Sequence, residues 1–434
     1  MPTPPPPPTV PRSLAMFPRP KWLKALGPGL IAGASDDDPS GIATYSQAGA
    51  QFGFDLGWTL VFSWPLMCAI QEISARIGCV TGRGIAGNLK RHYPAVLVHL
   101  VIGLVVVANV VNLGADLGAM AAALALLIGG SKLVLIIGFG VVTVIAEIFV
   151  RYSRYVALLK WLTLSLFTYV AVAFVIDMPW PQVARSLLLP RISLKADYIT
   201  LVVAILGTTI SPYLFFWQAE QEVEDGKERP GARPLIRDPE HAVAEFRRIR
   251  VDTVMGMTLS NLVALFIVLT TAATLHVHGI TDIQTSEQAA EALRPIAGHF
   301  VFFVFALGII GTGLLAVPVL AGSAAYALGE LAGWHVGLAR RPVRARAFYG
   351  TIAVATVVGG GLNLLPVDPI KALFWSAVIN GVVAVPVMAM MMHLSSHRAA
   401  MGDFAIGLPL RLVGWLATAV MAAAAVAMFA TWQL

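Results

Sequence analysis

Long apolar runs separated by short polar clusters organise this chain from end to end. A helix that crosses the hydrocarbon core of a bilayer needs about 20 mostly apolar residues. By that measure the pattern predicts eleven spans, over 27–50, 54–76, 98–128, 132–150, 155–177, 198–219, 253–276, 299–330, 347–366, 372–393 and 408–431. The longest polar interval, about 220–252, reads as an amphipathic surface stretch (EHAVAEFRRIRVD) and is too short for a soluble domain. Glu220, Glu222 and Glu224 at its start read as a solvated rim.

Two of the runs are interrupted. The first reads LIAGASDDDPSGIATYSQAGA, with Asp36, Asp37, Asp38, Pro39 and Ser40 in succession. The sixth reads VVAILGTTISPYLFFWQAEQEVE, with Thr208, Thr209 and Ser211 before Pro212. An acidic side chain at the bilayer centre costs about 3 kcal/mol on insertion scales, and proline removes a backbone hydrogen bond as well. The two breaks stand five spans apart. An odd number of helices per half inverts the second copy in the membrane, and paired interruptions in inverted halves point to a transporter's midplane site.

The chemistry of such a site follows from its donors. Unwound turns expose carbonyls, and half-helix C-termini carry partial negative charge. Asp38 adds a formal charge, while Ser40, Thr208 and Ser211 add neutral oxygens. Hard divalent cations such as Mg²⁺ and Mn²⁺ take oxygen ligands, and neither break carries a His or a Met. A proline in a membrane helix is most often a structural kink. Three aspartates beside one proline, matched by a second break, favour the cation site. Asp36 and Asp37 are open between lining a path to it and capping the unwound turn. Asp116 in the third span is read as a proton acceptor, a station on the cation path, or a carboxyl hydrogen-bonded among small residues. Asn112, one turn earlier, reads as packing.

Composition and charge narrow the class. Of 434 residues 57% are hydrophobic and 12% charged, against roughly 25% charged in soluble domains. The protein is therefore an all-α integral membrane protein. Cys68 and Cys79 supply neither a disulfide framework nor a thiolate metal cluster. Residues 1–22 are Pro-rich, lack the apolar core of a signal peptide, and read as a disordered cytoplasmic tail. With the N-terminus cytoplasmic and eleven spans, 24 of the 30 Lys and Arg residues fall on the inner side and the C-terminus lies outside. The net charge of +6 then reflects topology, so no nucleic-acid partner is needed. The expected partners are a divalent cation as cargo and the lipid of a bacterial-type inner membrane. The expected state is a monomer, with no cofactor. Neither motif of an intramembrane aspartyl protease is present, and no enzymatic activity is expected.

At these residues the chain resembles the Nramp family of divalent metal transporters. GPGLIAGASDDDPSG parallels a first helix that in the family carries D-P-G-N; QEISARIGCVTGRGIAGNL (Gln71 to Leu89), NLGADLGAM and GTTISPYLFFWQ parallel the second, third and sixth. The resemblance implies a LeuT-type fold: two inverted five-helix repeats, 23–180 and 196–395, plus an additional helix at 405–434, together forming one transporter domain over 23–434. It also implies that Asp38 binds metal. The family's asparagine falls at Gly41 and its glycine at Ser40. The metal-binding methionine falls at Ser211, the histidine after it at Tyr213, and a further histidine at Gln218. Asp116 matches a family acid, whereas a second acid three residues on is Ala119. Asn380 stands where the tenth helix of the family assists the metal.

Loss of the thioether removes the soft ligand that favours Mn²⁺, Fe²⁺ and Cd²⁺ over Mg²⁺. Loss of two imidazoles and a carboxylate removes groups that titrate near neutral pH. This pattern resembles the family's magnesium-transporting branch and implies inward movement of Mg²⁺ or Mn²⁺ with weak or absent proton coupling. The alternatives are an ordinary proton-coupled Mn²⁺/Fe²⁺ transporter and, further off, an amino-acid/sodium symporter, whose substrate carboxylate Asp38 would repel.

Overall fold

The computed structural model describes residues 27–150, 164–228 and 233–432, and the Pro-rich 1–22 tail lies outside them. Its main helices are α1 (Pro28–Asp36), α2 (Pro39–Phe52), α3 (Gly57–Thr81), α4 (Ile85–His92), α5 (Ala95–Ile128), α6 (Lys132–Phe149), α7 (Phe167–Val175) and α8 (Trp180–Leu188). They continue with α9 (Ala196–Thr209), α10 (Pro212–Glu228), α11 (Ala242–Thr274), α12 (Val301–Ala332), α13 (Arg346–Leu362), α14 (Pro369–Ser396) and α15 (Leu408–Thr431).

Among the described residues eight helical runs are long and apolar enough to cross a membrane, or nine if the pair Leu164–Val175 and Trp180–Leu188, bent by 117°, is one span. The eleven expected spans all coincide at least partly with helix. Three features account for the lower count. A 3-10 turn at Gly53–Leu56 joins α2 directly to α3, so the first two spans read as one run. The fifth span begins among residues outside the description, and α13 has only 17 residues. The interval 220–252 divides. Its first residues belong to α10, whereas most of the described residues 233–251 are exposed, with Leu235, Ala242 and Ile249 buried among them. The amphipathic surface stretch is therefore present there and runs without interruption into the apolar part of α11.

Both breaks are present. α1 ends at Asp36, Asp37 leaves helical geometry (φ −82°, ψ 52°), and Asp38 is extended (φ −69°, ψ 169°) before Pro39 opens α2. α9 ends at Thr209, and Pro212 opens α10. Proline suits the first helical position because its fixed φ is preorganised and no N–H is wasted there.

Close backbone contacts place these half-helices. The first broken helix packs on α11 and the second on α3, each on the second helix of the opposite repeat. A Cβ on Gly33 would lie 2.3 Å from the Gly256 carbonyl, and one on Gly78 would lie 2.1 Å from the Ala219 oxygen. α5 packs extensively against α12, and Gly207 sets α9 against Ala377 of α14. At its start α1 is held by Asp252 of α11, whose carboxylate accepts from the backbone N–H groups of Gly27 (2.8 Å), Gly29 (2.7 Å) and Leu30 (3.2 Å).

Candidate functional site

Asp38 caps α2, as its extended backbone allows. Its Oδ1 accepts from the Gly41 N–H at 2.7 Å and from the Ser40 hydroxyl at 2.7 Å. Its Oδ2 accepts from Asn112 Nδ2 of α5 at 3.0 Å, and the Asn112 Oδ1 accepts from the Ser376 hydroxyl of α14 at 2.8 Å. Asp38, Ser40 and Gly41 are therefore brought together, with Asn112 and Ser376 behind them. Asp38 is 2% exposed and borders neither of two cavities of about 480 Å³. One of these is lined by Ala43, five residues further along the chain, with Gln47, Asp197, Asp282 and Lys371.

Asp116 is fully buried on α5, one turn beyond Asn112, and faces Asp38 and the Ser40 backbone. Neither of its oxygens has a hydrogen-bond partner. Asp36 and Asp37 find their hydrogen-bond partner on α11 instead. The Ser260 hydroxyl lies 2.5 Å from Asp36 Oδ2 and 3.2 Å from Asp37 Oδ1.

At the second break Tyr213 links the two interruptions: its hydroxyl donates to the Ser35 carbonyl at 3.0 Å and reaches Asp38 as well. Ser211 turns its proton to the Gly207 and Thr208 carbonyls (2.6 and 2.7 Å), and Thr208 faces the Ile205 carbonyl and the Tyr45 hydroxyl (both 2.9 Å). Among the described residues no hydrogen bond joins either side chain to Asp38. Gln218 donates to Thr253 Oγ1 at 2.9 Å, away from the break. Asn380, one turn beyond Ser376 on α14, is buried with both polar atoms unpartnered.

Three further residues escaped the sequence reading. Ser260 and Ser376 are hydroxyls among several others in their helices, and nothing local marks them out. Met120, one turn beyond Asp116, brings sulfur close to the first break. A Cβ on Gly313 would stand 2.4 Å from its Sδ and 3.3 Å from the Pro39 ring. The acidic rim on α10 is also corrected. Glu222 is buried and bridges Arg248, while Glu224 accepts from the Tyr326 hydroxyl (2.6 Å) and the Leu338 N–H (2.8 Å). Glu220 is 2% exposed and lies against Glu330. These groups tie helix ends together, since Glu330 caps α4 through the N–H groups of Gly84 and Gly87.

The site as a whole is a buried, unwound, acidic break whose donors are hydroxyls, amides and backbone N–H groups. A broken-helix site of this kind is where transporters of this architecture hold a desolvated cation, between half-helix ends.

The sequence model of the family described as natural resistance-associated macrophage protein-like, Nramp, matches residues 29–431. The divalent metal cation transporter MntH of Klebsiella pneumoniae (strain 342) is 27% identical over 411 residues, which cover 92% of each chain. Among solved structures, the manganese transporter of Eremococcus coleocola aligns with a TM-score of 0.76 at 17% identity, over 94% of this chain and 87% of that one. A nucleobase-cation-symport-1 family transporter in a closed conformation aligns at 0.52 with 14% identity, over 94% and 93%. The architecture is thus the LeuT-type transporter fold.

Proposed function

The chain belongs to the Nramp family, and from that premise we propose that it carries a divalent metal cation across a membrane by alternating access, with Asp38 as the charged ligand. The observation that carries this reading is the Asp38 carboxylate itself. It lies buried in an unwound stretch, and its partners are Gly41, Ser40, Asn112 and Tyr213, none of them cationic. Relatives whose names state a cargo are a divalent metal cation transporter and a manganese transporter.

The cargo is Mg²⁺ or Mn²⁺. Oxygen donors at both breaks, with Ser211 where typical members carry methionine, support a hard cation. Transport runs inward across a bacterial-type inner membrane, with the N-terminus cytoplasmic, the C-terminus outside and a monomer as the working unit. An inside-negative potential supplies about 2.3 kcal/mol per charge per 100 mV, and so about twice that for a divalent ion. Import needs no protons on that account.

A specific observation favours the second reading, proton-coupled Mn²⁺/Fe²⁺ transport. Asp116 is buried beside the site with both oxygens unpartnered and could carry a proton. Uptake of Mg²⁺ and Mn²⁺ into proteoliposomes, with internal pH recorded, separates the two for wild type and Asp38→Ala. Mg²⁺ uptake without acidification, lost in Asp38→Ala, supports uncoupled transport. Mn²⁺ uptake with acidification and no response to Mg²⁺ selects the coupled alternative. Unchanged uptake in Asp38→Ala removes Asp38 as the ligand.

A further inference from the structure

We propose that the chain binds a second divalent cation at Asp36, Asp37 and Ser260, on the α11 side of the first break. The inference rests on the cation reading of Asp38 and extends it to the neighbouring aspartates. Consecutive residues here serve opposite walls. Asp38 is held by Ser40 and Gly41 of α2 and by Asn112 of α5. Asp36 and Asp37 turn to Ser260 of α11.

The Ser260 hydroxyl has one proton and faces two carboxylates, so at any moment one of them lacks that donor. Asp36 Oδ1 is sealed from solvent with no partner at all. Asp36 and Asp37 are 1% and 5% exposed, and Asp36, Asp37 and Asp38 lie close enough to repel one another. They also sit at the C-terminal end of α1, where the helix dipole adds further negative potential.

Charge balance leads to the same place. Asp36, Asp37, Asp38 and Asp116 bring four carboxylates to one break, and no Lys, Arg or His is hydrogen-bonded to them among the described residues. One divalent cargo ion offsets Asp38 and Asp116. Asp36 and Asp37 then need two further positive charges. Two carboxylates and a hydroxyl from facing helices form the oxygen set that a hard divalent ion takes, with water completing the shell.

Mn²⁺ titration of the detergent-solubilised full-length chain, with free Mn²⁺ read by electron paramagnetic resonance, tests this. Wild type should bind two Mn²⁺ per chain. Asp38→Asn should bind one, and Asp36→Asn/Asp37→Asn should bind one. Ser260→Ala keeps every carboxylate, so it serves even where the double variant fails to fold. It should weaken the second binding step by about tenfold and leave the first unchanged. One ion per chain in wild type, lost in Asp38→Asn, overturns the second site while sparing the Asp38 reading. Two ions that persist in the double variant, or a Ser260→Ala protein that binds both as wild type does, also overturn it. No binding at all overturns both readings.

Discussion

Asn112 and Ser376 allow the positioning of Asp38 to be measured. Asn112 donates to Asp38 Oδ2 at 3.0 Å while accepting from Ser376 at 2.8 Å, and both residues are fully buried. Asn112→Ala deletes a hydrogen bond to a charged group, a class worth about 1.5–3 kcal/mol. If the carboxylate must stay oriented to bind metal, Mn²⁺ affinity falls roughly 10- to 150-fold, since about 1.4 kcal/mol is tenfold. Ser376→Ala deletes a neutral bond worth about 1 kcal/mol, and its hydroxyl also faces the Leu373 carbonyl at 2.7 Å. Its effect alone is about fivefold or less. Because Ser376 reaches Asp38 only through Asn112, that effect should vanish in the Asn112→Ala background. The double-mutant cycle should return a coupling of about 1 kcal/mol. Mn²⁺ binding supplies the affinities, and uptake kinetics should show the change in KM rather than in the maximal rate. Equal costs of Ser376→Ala in both backgrounds would refute the relay, and so would an Asn112→Ala protein with wild-type affinity.

Two other outcomes follow from the same geometry. Ser211→Met places a thioether at the second break and should raise Cd²⁺ uptake relative to Mg²⁺ by about tenfold, equivalent to ~1.4 kcal/mol of soft-ligand preference. An unchanged ratio in competitive uptake would remove donor softness as the basis of selectivity. Asp252→Ala strips the acceptor from three N–H groups at the start of α1, a cap worth about 1–2 kcal/mol. The population with α1 released should grow roughly 5- to 30-fold, read as faster labelling of a cysteine introduced at Ser35, and equal labelling rates would show that the cap does not hold the helix.

Legibility followed how far apart in sequence the partners lie. The breaks could be read because prolines among acidic and hydroxyl residues within an apolar run have few structural explanations. Asp38, Ser40 and Gly41 are neighbours in the chain, and they do meet around one carboxylate. The other wall of the site was hidden. Ser260 and Ser376 acquire meaning only beside Asp36 and Asn112, which lie more than two hundred residues away. The start of α11 is the amphipathic surface stretch expected, but its ion pairs were not legible: Arg248 bridges Glu222 and Glu245, and the exposed Arg250 lies 3.3 Å from Glu72. Glu224 deceived because its partners Tyr326 and Leu338 lie more than a hundred residues further along the chain.

The number of ions bound and the coupling to protons are one question seen twice. Four buried carboxylates must be neutral in sum whenever the break is closed to water, because an uncompensated charge in a low-dielectric interior is expensive. If a resident divalent ion neutralises Asp36 and Asp37, the remaining pair, Asp38 and Asp116, matches a divalent cargo, and no proton has a place to ride. If protons neutralise Asp36 and Asp37 instead, those protons are exposed to exchange each time α1 moves against α11, because Ser260 links that pair of helices. Two Mn²⁺ per chain should therefore accompany uptake without acidification, and one Mn²⁺ per chain should accompany uptake with it. A chain that binds two ions and still acidifies the vesicle would break this link and return Asp116 to the role of proton carrier.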